Sequence, residues 1–156
     1  MTEGSAVSVD RRREVEAVVE RALAWASSEP TIVGLALVGS WAAGRAREDS
    51  DVDLVVVTRD VDRFVESGDW IGELGADRVV RTADWGALTE RRLATASGLE
   101  VEVGFVDPAW AATEPVDDGT RRVVRDGFRV VLDRERRLAA LGAACGVAAP
   151  ARAVRR

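Results

Sequence analysis

Two short motifs bring together residue types that could bind a phosphate group and a metal ion. Gly39 and Ser40 follow one apolar run, and Asp51 and Asp53 open the next, within the segment LVGSWAAGRAREDSDVDLVVV at residues 37–57. Ten residues separate Ser40 from Asp51. This arrangement predicts a strand, a tight turn with a short helix, and a second strand that begins with two carboxylates.

The two aspartates predict a metal site. Alternate residues of a strand face the same side, so we expect Asp51 and Asp53 to project together. Two carboxylates held that close repel each other unless a positive charge lies between them. Hard oxygen ligands favour Mg²⁺ or Mn²⁺ among divalent cations.

The turn before them predicts an anion site. Gly39 has no side chain, so a phosphate can approach its backbone closely. Ser40 adds a hydroxyl and is expected to begin a helix, whose first N–H groups are free to bind an anion. Arg45 and Arg47 lie in the following loop and either reach a phosphate or remain solvated surface charges. Together with the aspartates, these residues suit a metal-bound nucleoside triphosphate.

A third carboxylate is expected on a later strand. Residues 99–106 read LEVEVGFV, with Glu100 and Glu102 on one face and apolar side chains on the other. Acidic side chains in so apolar a strand are costly unless a metal or solvent meets them. We favour Glu102 as the third carboxylate because the core strand continues from it, with Glu100 as the alternative. A solvated outer face of a hairpin is the other interpretation of Glu102.

Composition excludes several kinds of chemistry and partner. The chain has 156 residues, no histidine, and a single cysteine, Cys145. The common zinc sites, histidine-based triads and an intrachain disulfide are therefore excluded. The net charge of −5 argues against nucleic acid as the main partner. The first residues lack an apolar signal segment and no run is long enough to span a bilayer, so we expect a cytoplasmic protein without a membrane partner.

Hydrophobic patterning predicts an α/β or α+β layered fold, with a mixed sheet flanked by helices. We expect a flexible start at residues 1–9, one domain at residues 10–146 and a disordered tail at residues 147–156. The predicted helices cover residues 10–28, 41–46, 61–74, 117–126 and 134–144. The predicted strands cover residues 31–38, 51–58, 78–82, 88–95, 99–106 and 128–132.

The segment GSWAAGRAREDSDVDLVVV resembles the minimal nucleotidyltransferases of the DNA-polymerase-β-like superfamily. Their signature is a Gly-Ser, a spacer of about ten residues, and an Asp-x-Asp that leads an apolar strand. The resemblance implies a polymerase-β-like fold in which Gly39 and Ser40 hold the triphosphate. It also implies that Asp51 and Asp53 ligate two Mg²⁺ ions, and that Glu102 completes the site and acts as base towards an acceptor hydroxyl.

The resemblance further implies an enzyme that transfers a nucleoside monophosphate, AMP from ATP, to a hydroxyl acceptor with release of pyrophosphate. The acceptor would be a small molecule, a protein side chain or an RNA end. Some relatives adenylylate aminoglycosides, and others are antitoxins that adenylylate a partner toxin. Two alternatives remain: an antitoxin-like partner of a toxin, and a non-catalytic nucleotide-binding module. Retention of both Asp51 and Asp53 argues against the second.

Overall fold

The computed structural model describes residues 6–147, so most of the predicted terminal segments, 1–9 and 147–156, lie outside the described residues. Two 3₁₀ turns, at Ile71–Leu74 and Pro108–Ala111, accompany the helices and strands. The helices are α1 (Val9–Ser28), α2 (Gly39–Ala43), α3 (Val61–Glu66), α4 (Asp118–Asp126) and α5 (Arg137–Ala144). The strands are β1 (Ile32–Val38), β2 (Val52–Thr58), β3 (Ala76–Asp84), β4 (Thr89–Thr95), β5 (Glu100–Val106) and β6 (Phe128–Asp133). Among the described helices, none combines the length and the apolar character that crossing a membrane would require.

The strands form one six-stranded sheet in the order β3-β4-β5-β2-β1-β6. Strands β2 and β5 pair in parallel, and the other neighbouring pairs are antiparallel. The predicted mixed sheet flanked by helices is therefore confirmed. Because β2 and β5 run in the same direction, the residues that open both strands lie at the same edge of the sheet.

Burial on both faces explains the continuous apolar runs of the central strands. All seven residues of β1 and six of the seven in β2 are buried. One face of the sheet packs against α1, α3 and the first 3₁₀ turn, and the other packs against α4, α5 and the second. A strand covered on both faces needs apolar side chains in both directions, which removes the usual alternation.

The predicted helix at residues 61–74 is wrong, because the structure divides it. Helix α3 ends at Glu66, and the chain then turns before the 3₁₀ turn at Ile71–Leu74. The buried indole N–H of Trp70 donates to the carbonyls of Phe64 (2.9 Å) and Ser67 (3.0 Å). Both acceptors are backbone carbonyls at the C-terminal end of α3. The indole of Trp70 therefore caps the helix, which does not continue beyond this point.

Three further elements differ from the predictions by two or more residues. Helix α2 covers Gly39–Ala43, where residues 41–46 were expected, because Gly44 ends it in a left-handed conformation. Strand β3 covers Ala76–Asp84, where residues 78–82 were expected, because its mostly exposed side chains carry little apolar signal. Helix α5 begins at Arg137 and not at residue 134. The carboxylate of Asp133 accepts hydrogen bonds from the N–H groups of Leu138 (3.1 Å) and Ala139 (2.8 Å), which fixes the start of the helix beyond the strand.

Candidate active site

The turn after β1 and the start of β2 lie side by side. Strands β1 and β2 are antiparallel, and Val38 is opposite Asp53. Gly39, the next residue, has φ of +74°. A Cβ atom at Gly39 would overlap the carboxylate of Asp53. Glycine is thus needed twice at this position, for its left-handed backbone and for the close approach of the carboxylate. The two halves of the predicted site meet here.

Glu102 lies beside Asp53 on the neighbouring strand. The parallel register of β2 and β5 pairs Asp53 with Glu102, and both side chains are partly buried. Glu100 lies two residues earlier on the same face of β5. The structure therefore brings Glu102 next to the aspartates, as the sequence predicted, and places Glu100 nearer to Asp51.

Asp53 and Glu102 line a cleft of about 230 Å³. Its lining combines four carboxylate residues with apolar side chains from β1, from β2, from the loop before β4 and from α4. The lining residues are Val38, Gly39, Asp53, Leu54, Val55, Leu88, Glu90, Glu102, Gly104, Val123 and Asp126. The cleft carries an excess of negative charge next to an apolar wall, which suits a cation-bound ligand with an apolar part.

Arg92 is a component of the site that the sequence analysis did not identify. Its Nη1 lies 2.8 Å from Asp51 Oδ2 and 2.7 Å from Glu100 Oε1, and its Nη2 contacts Glu102. The antiparallel register of β4 and β5 places Arg92 opposite Glu102. The sequence contained a signal for this pairing. In a hairpin with a short loop, residues at equal distances from the loop lie opposite each other, and Arg92 and Glu102 are such a pair.

In the part of the chain that the structure describes, no arginine forms an ion pair with Asp53, while Asp51 and Glu102 both bond Arg92. Burial raises the pKa of Asp53 to about 6, and repulsion from Asp51 adds to the rise. Arg92 lowers the pKa of Asp53, but not enough to offset these effects. The ionised carboxylate is therefore disfavoured in the folded protein as it stands.

This pKa predicts a pH dependence of stability. Because the pKa of Asp53 is raised from 3.8 to about 6, the folded state holds this proton more tightly than the unfolded state. The stabilisation that this bound proton gives the folded state is fully present below pH 3.8, and it is lost as the pH rises through about 6. We expect the free energy of unfolding, relative to Asp53→Asn, to fall by at most about 3 kcal/mol between about pH 4 and pH 7. Urea denaturation in the presence of a chelator measures it; a difference that stays flat or rises with pH contradicts the prediction.

The carboxylates of Asp51, Asp53 and Glu102 are of the kind that binds a divalent cation, although two of them are bonded to Arg92. Within residues 6–147, no three acidic side chains are placed as a ready-made metal-binding group. Asp51 and Glu102 bond Arg92, while Asp53 carries an unfavourable charge. A guanidinium among two of the carboxylates and a raised pKa at the third both indicate that this cluster requires positive charge. Oxygen donors of this kind suit Mg²⁺ or Mn²⁺.

The predicted phosphate-binding arginines lie outside the cleft lining. The exposed side chain of Arg45 donates to the carbonyl of Asp126 (3.0 Å). Arg47 is also exposed, and its backbone N–H donates to Ser50 Oγ (2.8 Å). Ser40 lies in the first turn of α2 and is partly buried. Contact of these three residues with a phosphate stays a prediction.

Gly127, at the end of α4, lies against the backbone of the turn that begins at Gly39. It has φ of +146°, and a Cβ atom there would lie 3.0 Å from the backbone nitrogen of Ala43 and overlap the carbonyl of Gly39. The end of α4 therefore touches the backbone of α2 directly. From the sequence, Gly127 indicated only the end of a helix, and its contact with the site could not be inferred.

This fold and this constellation define a nucleotidyltransferase domain. Residues 18–109 match the family described as "Nucleotidyltransferase domain", and the chain belongs to that family. The match spans β1 to β5 and therefore includes the Gly39 turn, both aspartates and Glu102. The family resemblance expected from the sequence is confirmed. No protein with curated function matches the sequence.

Two of the solved nucleotidyltransferase structures that resemble this chain, the first two below, share its fold. A cytoplasmic RNA terminal U-transferase is 17% identical, with a TM-score of 0.52, over 76% of this chain and 35% of that one. Cid1 in complex with the UTP analogue UMPNPP is 19% identical, with a TM-score of 0.50, over 64% of this chain and 31% of that one. An aminoglycoside 6-adenyltransferase from Bacillus subtilis is 16% identical, with a TM-score of 0.46, over 63% of this chain and 36% of that one. The chain thus spans about a third of the length of these structures.

Proposed function

We propose that the chain transfers a nucleoside monophosphate, AMP from ATP, to a hydroxyl acceptor and releases pyrophosphate. The observation that carries this proposal is the contact between the Gly39 turn and the Asp53 carboxylate at the floor of an open cleft. It supports a site where a polyphosphate and the cation that accompanies it bind together. Membership in the nucleotidyltransferase domain family supports the same chemistry.

In this proposal, each residue has a defined role. The backbone of Gly39 and the hydroxyl of Ser40 hold the triphosphate, and Arg45 and Arg47 approach its outer oxygens from the loop. Asp51, Asp53 and Glu102 would hold Mg²⁺ or Mn²⁺, which supplies positive charge to the attacking and leaving oxygens when bound.

Glu102 has a second proposed role, as the group that accepts the proton of the acceptor hydroxyl. It lines the cleft next to Asp53, so an acceptor in the cleft would lie within its reach. The acceptor oxygen would attack the α-phosphorus, and the bond from that phosphorus to the bridging oxygen of pyrophosphate would break in line. Positioning supplies much of the acceleration.

The proposed acceptor is a small molecule or a protein side chain, and a partner toxin belongs to the second class. We propose the cytoplasm as the compartment. The net charge of −5 and the carboxylate-lined cleft support an acceptor other than nucleic acid.

Pyrophosphate release with each of the four nucleoside triphosphates tests this proposal. We expect Mg²⁺-dependent release with ATP in the presence of hydroxyl-bearing acceptors, and mass spectrometry should detect the acceptor carrying AMP. Preference for another nucleotide would overturn the assignment of ATP while leaving nucleotidyl transfer intact. Absence of release with every nucleotide, together with absence of metal-dependent nucleotide binding by calorimetry, would contradict the proposal as a whole.

A further inference from the structure

We infer that Arg92 is an internal counter-cation that a metal ion must displace, so that free metal binds weakly and the metal–nucleotide complex is the form that fills the site. This inference rests on the proposed function, because it concerns the same carboxylates. Arg92 would be a positioning residue, which acts on the reaction through the side chains that it holds.

The contacts of Arg92 support this role. One guanidinium bonds three carboxylates, those of Asp51, Glu100 and Glu102, and only 20% of its side chain is exposed. Nη1 alone bridges Asp51 and Glu100 at 2.8 and 2.7 Å. Charge-assisted hydrogen bonds of these lengths are the strong ones in proteins. One positive charge therefore offsets part of the negative charge of these three carboxylates before any metal arrives.

The place of Arg92 in the sheet limits what can move. Strand β4 pairs with β3 on one side and β5 on the other, so the backbone of Arg92 is held on both edges. Release of the carboxylates therefore requires the side chain alone to change rotamer. A metal ion that takes Asp51 and Glu102 as ligands leaves the guanidinium without two of its partners.

The nucleotide provides a new partner for the released guanidinium. A triphosphate offers pairs of oxygens that the planar guanidinium of arginine binds in a bidentate manner. A bare cation offers no such compensation, because it adds positive charge beside a guanidinium that it has displaced. Metal and nucleotide are therefore coupled, each favouring the binding of the other.

Titration with Mn²⁺ alone tests the inference, with free Mn²⁺ measured by electron paramagnetic resonance. In Arg92→Gln the competing charge is gone, and we expect Mn²⁺ to bind at least about tenfold more tightly than in the parent. In Arg92→Lys a point charge cannot bond three carboxylates together, so the affinity for Mn²⁺ should lie between the two. Arg78→Gln is the matched control, since Arg78 is an exposed arginine of β3 whose ion pair is with Asp77, and it should match the parent.

The outcomes separate this inference from the proposed function. Equal or weaker binding of free Mn²⁺ in Arg92→Gln, in a parent that binds Mn²⁺–ATP by calorimetry, overturns the role of Arg92 alone. If circular dichroism shows that Arg92→Gln does not fold, the lysine variant decides, and an affinity equal to that of the parent overturns the inference. Failure of the parent to bind Mn²⁺ even with ATP overturns the metal site and the inference with it.

Discussion

Asp53→Asn is expected to lower nucleotidyl transfer by at least about a thousandfold, because it removes a carboxylate that we propose as a metal ligand where the attacking and leaving groups develop charge. Asp53 is the carboxylate closest to the Gly39 turn and the one that lines the cleft beside Glu102. The amide keeps the shape of the side chain but offers a divalent cation a much weaker donor. Pyrophosphate release at saturating Mg²⁺ and ATP measures the loss.

The same variant should fold as well as the parent or better at neutral pH. Burial disfavours the ionised form of Asp53, as its raised pKa shows, and a neutral amide removes that cost. Asp49→Asn is the control, because Asp49 is an exposed carboxylate in the loop before the motif. We expect the control to retain full activity. Transfer by Asp53→Asn within about tenfold of the parent would contradict the assigned role.

Gly39→Ala is expected to reduce both activity and stability. An alanine at φ of +74° is strained by about 1–2 kcal/mol. Its methyl group would also overlap the Asp53 carboxylate and force it to move. Because a displacement of about 1 Å at a reacting centre can cost about a hundredfold in rate, we expect a loss of that order.

Gly44→Ala separates the two effects of the substitution at Gly39. Gly44 has nearly the same φ, +76°, but a Cβ atom there would meet nothing within 4 Å. We expect the two variants to lose similar stability to backbone strain, while only Gly39→Ala loses transfer. Thermal unfolding and pyrophosphate release measure the two quantities. Equal activity in both variants would show that the contact with Asp53 has no role.

The part of the site that lies close together in the chain could be predicted from the sequence. Gly39 directly follows β1, and Asp53 belongs to the neighbouring antiparallel strand β2, so the motif and its geometry are local. Alternation along residues 99–106 also placed Glu102 on the correct face. Its position beside Asp53 arises from the parallel pairing of β2 and β5, which no local pattern specifies.

Other features depended on tertiary contacts. The division of the predicted helix at residues 61–74 is fixed by the buried indole of Trp70, whose partners are backbone carbonyls. Arg92 has the same residue type as Arg91 beside it, and its three bonds form only when β4, β5 and the start of β2 are assembled. The contact of Gly127 with α2 joins segments that are distant in sequence.

The pairing of Arg92 with Glu102 inside one hairpin has a consequence for how the chain assembles. Strands β2 and β5 are neighbours in the sheet, although β3 and β4 lie between them in sequence. If β5 arrived with bare carboxylates, it would meet the two aspartates of β2 against electrostatic repulsion. The hairpin instead carries Arg92 beside Glu100 and Glu102, which reduces this repulsion, and the same arginine bonds Asp51.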